Sequence, residues 1–542
     1  MTSVNSVNGV NGVNPLCENI YSENIDLNPV KAAFSNSQKL SSLGRVHFIG
    51  IGGAGMSVLA EMLHEEGVKV SGCDKEENDH TQRLQELGIE VQIGQNASHV
   101  MNADVLVYSS AIKPSNPEIV EAHKRGVKLV HRSDILALLL SSKRGVTVAG
   151  AHGKTTTSSL LAHILNVSGT GELADASYAI GGSIQAADGS VIDGGHAGNG
   201  SVMVAEADES DGSFEKYHPE VAIVTNAEAD HLDHYGSGEK YREAFVEHVS
   251  HAIKHVVICA NDDGARQVLE AMSDDSLRST VAYGSADTWK LSVSERVQKL
   301  ANFAAVEHES EQAFSGLEEF TLVLPKNLVK NEDSCDAKED SCVAKENSCV
   351  VKVSLLIPGL HNALNASAAI IAAVLLGMSP EDAARGAKSF RGASRRFDIR
   401  GCVNGVTVVD DYAHHPTEIE ALLRAARRRY PSASLRVLFQ PHLFSRTRAF
   451  AKEFAKALAL ADDVIVTGIF PAREKQEDFA NIHASTIVEA AKDQEIRVPM
   501  EAVDDMREAA LKLANRAKSG DVLLTVGAGS ITAMTSVMLG AL

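Results

Sequence analysis

VTVAGAHGKTTTSSLL, residues 146–161, is the stretch from which the fold is read. The apolar run 146–149 predicts a buried parallel strand. Gly150, Ala151, His152 and Gly153 make a tight loop, Lys154 follows, and a helix is expected from Thr155 with Leu160, Leu161, Ile164 and Leu165 on one face. Strand, glycine loop and helix N-terminus together point backbone N–H groups at an anion. A Lys in that position reaches the outer phosphates of a nucleotide, and a Thr hydroxyl beside it reaches Mg²⁺. Val148 stands where the usual phosphate loop has its first Gly. The plainer reading, a glycine turn between strand and helix, leaves Lys154, Thr155, Thr156 and Thr157 without a task, because that run packs poorly.

The chain has 542 residues, enough for three or four domains and ample core. A net charge of −20 argues against a nucleic-acid partner that needs a basic face. It does not argue against anionic metabolites, which a few Lys, Arg, Mg²⁺ ions and helix N-termini can hold. Seven scattered cysteines fit a reducing compartment. No stretch reaches the roughly 18 apolar residues of a membrane span, and the N-terminus lacks a signal-peptide pattern. A cytoplasmic protein with no membrane partner is expected. Nothing in the sequence decides between a monomer and a homodimer.

Residues 1–44 open on VNSVNGVNGVN and stay rich in Asn and Ser, which predicts a disordered tail. From 45 to 143 the pattern is that of a Rossmann-like unit. A strand at 46–49 leads into Gly50, Ile51, Gly52, Gly53, Ala54 and Gly55, then a helix over 56–66 and a strand over 68–72. Asp74 follows at the distance of an acid that binds a ribose hydroxyl. The fingerprint predicts a nucleotide diphosphate and does not separate NAD from a sugar nucleotide. Ser109 and Ser110 close the strand 105–108, at the sheet end where open α/β sheets bind ligands.

The central unit, 144–393, adds two acidic loops after apolar strands. EADESD at 206–211 follows the strand 202–205, where Glu206 is placed to bind Mg²⁺ and Asp208 to share its face. TNAEADHLDHY at 225–235 follows the next strand and offers His231 as a less usual second-cation ligand. Residues 285–352 are polar and repeat Cys335, Cys342 and Cys349 at period seven, which predicts a partly disordered insertion. GLHNALN at 359–365 enters an apolar helix, with Asn362 and Asn365 one turn apart and able to face a base edge. From SRRF at 394–397 a third unit runs to 542, with strands near 406–409, 436–439, 464–467 and 522–526. Its three polar loops, DDYAHHPTE at 410–418, QPHLFSRT at 440–447 and GAGSI at 527–531, line one crevice.

In this order, GIGGAGM, GAHGKTTT, EADESD, TNAEADHLDHY, GLHNALN, SRRF, DDYAHHPTE and GAGSI resemble the Mur ligase family, cytoplasmic enzymes that build the peptidoglycan precursor. The resemblance covers about residues 45–542 apart from 285–352. It implies an α/β chain of three domains: a Rossmann-like UDP-sugar domain, a central P-loop ATPase-type domain and a Rossmann-like C-terminal domain. By resemblance, Gly50, Gly52, Gly53, Ala54, Gly55, Asp74, Ser109 and Ser110 bind the UDP-sugar, and Gly150 to Thr156, Asn362, Asn365, Arg396 and Asp411 bind ATP. Lys154, Glu206, His231 and Arg396 are the implied catalytic residues. Thr155 and Glu206 would hold one Mg²⁺, with His231 and Glu206 holding a second. Leu443 stands where the family has a basic residue, and Ala413 where it has Gly, which leaves His415, His442 and Arg446 as candidates for amino-acid recognition.

The implied reaction joins L-alanine to the lactyl carboxylate of UDP-N-acetylmuramate, with ATP phosphorylating that carboxylate first. Because ATP would touch two domains, closure is expected with catalysis. Three other readings stay open at this point. A tripeptide-recycling ligase would share the sugar nucleotide. An NAD-dependent dehydrogenase would use 46–74 and leave the phosphate loop idle. An ATP-driven switch would leave the first domain without a task.

Overall fold

The computed structural model describes residues 25–35, 38–185, 191–192, 194–308, 317–329, 348–472 and 474–542. It divides into two compact units: the chain up to Lys143 with Gly195–Ala197 and Asp208–His218, and the remainder from Arg144.

The first unit is built on a parallel sheet in the order Glu90–Ile93, Lys69–Asp74, Arg45–Ile49, Val105–Tyr108, Lys128–His131. The order reverses beside Arg45–Ile49, so the glycine loop at its end opens at the switch point of the sheet. The helix Ala54–Glu65 begins directly on that loop. The tail expected over 1–44 is corrected from Ile25 onward. Ile25 is buried with Ile49, Cys73 and Tyr108, and Leu43 is also buried. Lys216 Nζ donates to Pro29 O at 2.8 Å, and Ala33 N–H donates to Asp134 Oδ1 at 3.0 Å. A few apolar residues in an Asn- and Ser-rich context found a core elsewhere in the chain, which local composition does not reveal.

In the second unit, Ser177–Ala179, Val202–Glu206, Arg144–Ala149, Val221–Val224, His255–Cys259, Thr280–Gly284 and Asn302–His308 lie side by side in parallel. Glu318–Pro325 and Ser348–Leu355 extend the sheet antiparallel. The insertion expected over 285–352 is therefore corrected. Phe320, Leu322, Leu324, Cys349, Val351, Val353 and Leu355 all point into the core, and the intervening Thr321, Lys352 and Ser354 supply the polarity that disguised two half-buried strands. Cys335 and Cys342 lie outside the described residues. A deletion of 331–350 that would be harmless in a peripheral insertion instead removes Ser348, Cys349 and Val350 from their register with Glu318–Pro325. We expect it to lower the melting temperature by several degrees, checked by thermal unfolding against a deletion confined to 331–346.

The helix Lys154–Ser168 packs on Leu360–Leu376, whose Ala- and Ile-rich faces are buried almost all round. The same unit ends in a sheet ordered Asp398–Val403, Val406–Asp411, Val522–Val526, Leu435–Phe439, Asp463–Val466, Met500–Ala502, parallel except for the first pair. Between the two sheets runs SRRF. Arg395 and Phe397 both hold positive φ, 59° and 50°, an arrangement L-residues keep only when their surroundings fix it. Arg395 Nε donates to buried Asp410 at 3.2 Å, and Phe397 N–H donates to Asp411 Oδ2 at 2.7 Å.

Candidate active site

The phosphate loop forms as expected between Arg144–Ala149 and Lys154–Ser168. Two of its glycines are obligatory. Gly150 has φ 142° and a Cβ there would strike Thr225 Oγ1; Gly153 has φ 83° and a Cβ there would lie 2.6 Å from Asn365 Oδ1. The loop is tied down from the neighbouring strand, with Thr225 Oγ1 donating to His152 O at 2.6 Å, Asn226 Nδ2 to the same carbonyl at 2.7 Å, and His152 N–H to Asn226 Oδ1 at 3.1 Å. Lys154 Nζ folds back over the loop and donates to Gly150 O at 2.6 Å. Its ammonium thus lies across the loop, and Gly150, Ala151, His152 and Gly153 shape the cradle beneath it.

Thr155 Oγ1 donates to Glu206, 3.1 Å from either carboxylate oxygen, and Gly181 N–H donates to Glu206 Oε2 at 2.9 Å. A hydroxyl and a carboxylate oxygen at the start of a phosphate loop are hard donors of the kind Mg²⁺ takes. Asp208 lies in the first unit, where its carboxylate is 2.6 Å from Arg132 Nη2. His231, at φ 50°, stands with Nε2 3.9 Å from Asp230 Oδ2.

A cavity of about 290 Å³ opens beside the loop. His152, Gly153, Thr156, Asn362, Asn365, Arg396 and Asp411 line it, which brings together seven of the expected nucleotide residues from the loop, the long helix and the C-terminal sheet. Asn362 Nδ2 donates to Pro358 O at 2.7 Å, and Asn365 Nδ2 to Asn362 Oδ1 at 3.3 Å. Burial pushes the Asp411 carboxyl up to about 6, against Arg396 and the N–H groups of Phe397 and Ala413.

Glu418 and Glu228, at the same cavity, were not singled out in the sequence. His152 Nδ1 lies 3.2 Å from Glu418 and Nε2 3.3 Å from Glu228; Thr417 Oγ1 donates to Glu228 at 2.9 Å. Burial opposes charge on His152, yet the two carboxylates raise it to about 9. His415, 5.2 Å from His152 between ring centres, falls to about 4 through burial and that neighbouring charge. The charged His152 draws Glu418, on the helix Pro416–Arg429, toward the phosphate loop. A raised histidine contributes stability in full below its ordinary pKa of about 6.5 and loses it as pH rises through about 9. The melting temperature of the intact chain is therefore expected to fall between pH 7 and pH 10 more steeply than that of His152→Gln, followed by scanning calorimetry at each pH.

Arg446 Nη2 donates to Asp230 at 3.1 Å, and His442 stacks on Phe470 at 5.7 Å. Burial works to raise the Asp230 carboxyl, but Arg446 and His231 bring it down to about 2. The structure thus gives Arg446 a partner on the 225–235 loop, a second tie alongside His152–Glu418.

In the first unit, Gly50, Gly52, Gly53, Ala54 and Gly55 form the turn and helix start expected. Asp74 Oδ2 accepts Gly52 N–H at 2.8 Å and Oδ1 accepts Lys75 N–H at 2.7 Å, so this carboxylate braces the loop. Ser110 Oγ donates to Asp211 Oδ2 at 2.5 Å and meets His131 Nε2 at 3.1 Å; Ser109 closes a turn to Ile112. Arg132, overlooked in the sequence, stands 3.2 Å from where a Cβ on Gly55 would be. It follows a strand unremarkable in composition, and only the fold brings it beside the glycine loop.

A phosphate loop with a hydroxyl–carboxylate pair, facing a second α/β sheet across a nucleotide-sized cavity, and a separate glycine-loop unit define a three-domain ATP-type ligase, and the chain belongs to the Mur ligase family. The family's catalytic domain matches residues 45–144, its middle domain 148–373 and its glutamate ligase domain 395–529. A UDP-N-acetylmuramate–L-alanine ligase of Bifidobacterium adolescentis is 57% identical over 521 residues, 96% of each chain. The enzyme of the same name from Kineococcus radiotolerans is 42% identical, covering 91% of this chain and 95% of its own. Among solved structures, UDP-N-acetylmuramate-alanine ligase from Thermotoga maritima aligns with a TM-score of 0.69 at 28% identity, over 92% of this chain and 98% of that one. A murein peptide ligase of Psychrobacter arcticus shares the fold, with a TM-score of 0.61 at 23% identity.

Proposed function

We propose that this chain joins L-alanine to the lactyl carboxylate of UDP-N-acetylmuramate, with ATP converted to ADP and phosphate, in the cytoplasmic assembly of the peptidoglycan precursor. The observation that carries the reading is the 57% identity, over nearly all of both chains, to a ligase of that name, together with the phosphate loop and its Thr155–Glu206 pair. The tripeptide-recycling reading rests on a relative of much lower identity. A dehydrogenase or an ATP-driven switch leaves one of the two nucleotide sites unused.

A carboxylate oxygen attacks the γ-phosphorus of ATP and ADP departs, giving an acyl phosphate. The amine of L-alanine attacks the acyl carbon, phosphate leaves with the former carboxylate oxygen, and the amine gives up a proton. Phosphoryl transfer needs charge stabilisation and alignment more than covalent help. Lys154 swings from the loop carbonyls onto the outer phosphates, and the loop N–H groups hold them. Asn362 and Asn365 face the base, and Arg396 and Asp411 the rest of the nucleotide from the C-terminal sheet. Thr155 and Glu206 would hold Mg²⁺, with His231 the candidate at a second ion, and the metal would supply charge neutralisation at the transferring phosphoryl group. The first unit's glycine loop, braced by Asp74 and with Arg132 beside it, takes the UDP-sugar, with Ser109 and Ser110 as further candidates. His415, His442 and Arg446 stay the candidates on the amino-acid side.

The oxygen bookkeeping supplies a test. UDP-N-acetylmuramate carrying ¹⁸O in its lactyl carboxylate is expected to pass one labelled oxygen to the phosphate released with alanine present. Phosphate formed without label would show that no acyl phosphate is made.

A further inference from the structure

Four residues that the ligase reading leaves unused meet inside the first unit. His47 lies mid-strand in Arg45–Ile49, Cys73 in Lys69–Asp74, His99 in the turn Ala97–Val100, and Glu118 in the first turn of Pro117–Arg125. One ligand atom from each lies within 4.8 Å of every other. Cys73 Sγ is 3.1 Å from both Glu118 oxygens, His99 Nδ1 is 3.0 Å from Oε1, and His47 Nε2 is 3.5 Å from Oε2. Glu118 and Cys73 are fully buried, and His47 is 2% exposed.

We propose that His47, Cys73, His99 and Glu118 bind one divalent transition-metal ion of the zinc class. A tetrahedral ion with bonds of about 2.0–2.3 Å has ligand–ligand edges of roughly 3.3–3.8 Å, against 3.0–3.5 Å from Glu118 to the other three and at most 4.8 Å for every pair. The donor set of one sulfur, two imidazoles and a carboxylate suits zinc and not Mg²⁺. His47 Nδ1 meets Ser71 Oγ at 2.9 Å, which fixes the ring and aims Nε2 into the cluster. That Nε2 is buried and has the long 3.5 Å approach to Glu118 Oε2 rather than a close hydrogen bond. Burial works to raise the Glu118 carboxyl while hydrogen bonds from His47, Cys73 and Asn96 bring it down, and a cation would add the positive charge a buried carboxylate favours. A doubly charged ion with the Cys73 thiolate and the Glu118 carboxylate makes the cluster neutral. Binding then releases the thiol proton.

The site lies one residue from the glycine loop. Cys73 O accepts Gly50 N–H at 2.8 Å and Ile51 N–H at 2.9 Å, and Asp74 braces Gly52. An ion here locks the strand from which the nucleotide fingerprint is hung, so its role is structural.

The test uses the full-length chain with any purification tag removed, stripped with a chelator and dialysed against Zn²⁺ or Co²⁺. About one tightly held zinc per chain is expected, with a raised melting temperature and, for cobalt, a thiolate-to-metal charge-transfer band. Cys73→Ser is expected to lose that band, and His99→Gln to weaken binding by at least about tenfold. His99 sits at the rim of the cluster, so its variant keeps the test alive if Cys73→Ser does not fold. Wild-type protein that retains no zinc and gives no thiolate–cobalt band overturns the proposal and leaves a hydrogen-bonded cluster. A band that survives in Cys73→Ser also overturns it.

Discussion

Lys154→Ala is expected to lower ADP release at saturating substrates by roughly two hundred- to a thousandfold, with the melting temperature within a few degrees of the parent. The ammonium of Lys154 now rests on the carbonyls of Gly150 and Ala151, at 2.6 and 3.4 Å, contacts that a phosphate replaces at little cost. Its charge is needed when negative charge gathers on the transferring oxygens. In a site closed to water one such donor contributes roughly 3–4 kcal/mol to the barrier. The loop itself does not depend on the side chain, since Thr225 and Asn226 hold it through the His152 backbone. Steady-state ADP release alongside thermal unfolding separates the two effects. Activity within tenfold of the parent would remove Lys154 from the reaction.

Glu206→Gln is expected to reduce turnover by about a hundredfold and to raise the Mg²⁺ concentration giving half-maximal rate by about tenfold or more. The amide keeps an oxygen to accept from Thr155 Oγ1 and Gly181 N–H, so the local structure should hold. What is lost is the negative charge that makes the pair a cation site. Initial rates across a Mg²⁺ titration check this. An unchanged Mg²⁺ dependence would assign Glu206 to bracing Gly181 alone. Glu206→Ala makes the contrast, because it gives up both the charge and the brace.

Those two residues were legible because their chemistry is local. A Lys and Thr after a glycine loop, or an acid after an apolar strand, reads the same before and after folding. The strands expected at 46–49, 105–108, 146–149, 202–205, 406–409, 436–439, 464–467 and 522–526 were legible for a similar reason, since parallel strands buried on both faces are continuous apolar runs; others, such as His255–Cys259, Thr280–Gly284 and Asn302–His308, were not read. The antiparallel pair Glu318–Pro325 and Ser348–Leu355 was not, because exposed or half-buried polar residues such as Glu319, Thr321, Lys352 and Ser354 interrupt the buried ones. Ile25 was not, because its partners Ile49, Cys73 and Tyr108 are distant in the chain. The same limit hid His152–Glu418. His152 was seen as a loop residue and Glu418 as part of a motif, but their 3.2 Å contact, and the charge it gives His152, arise only when the two sheets are brought together. Asp74 shows a subtler limit. Expected to face a ribose hydroxyl, it has both of its oxygens engaged by the backbone N–H groups of Gly52 and Lys75.

The central claim is an ATP-dependent amide bond between L-alanine and a sugar nucleotide. Its most direct test is ADP release with Mg²⁺, ATP and UDP-N-acetylmuramate, with and without L-alanine, followed by the mass of the product. The account predicts sustained turnover only when both substrates are present, with one alanyl residue added. ATP turnover indifferent to both, or turnover that requires a peptide in place of alanine, would contradict it.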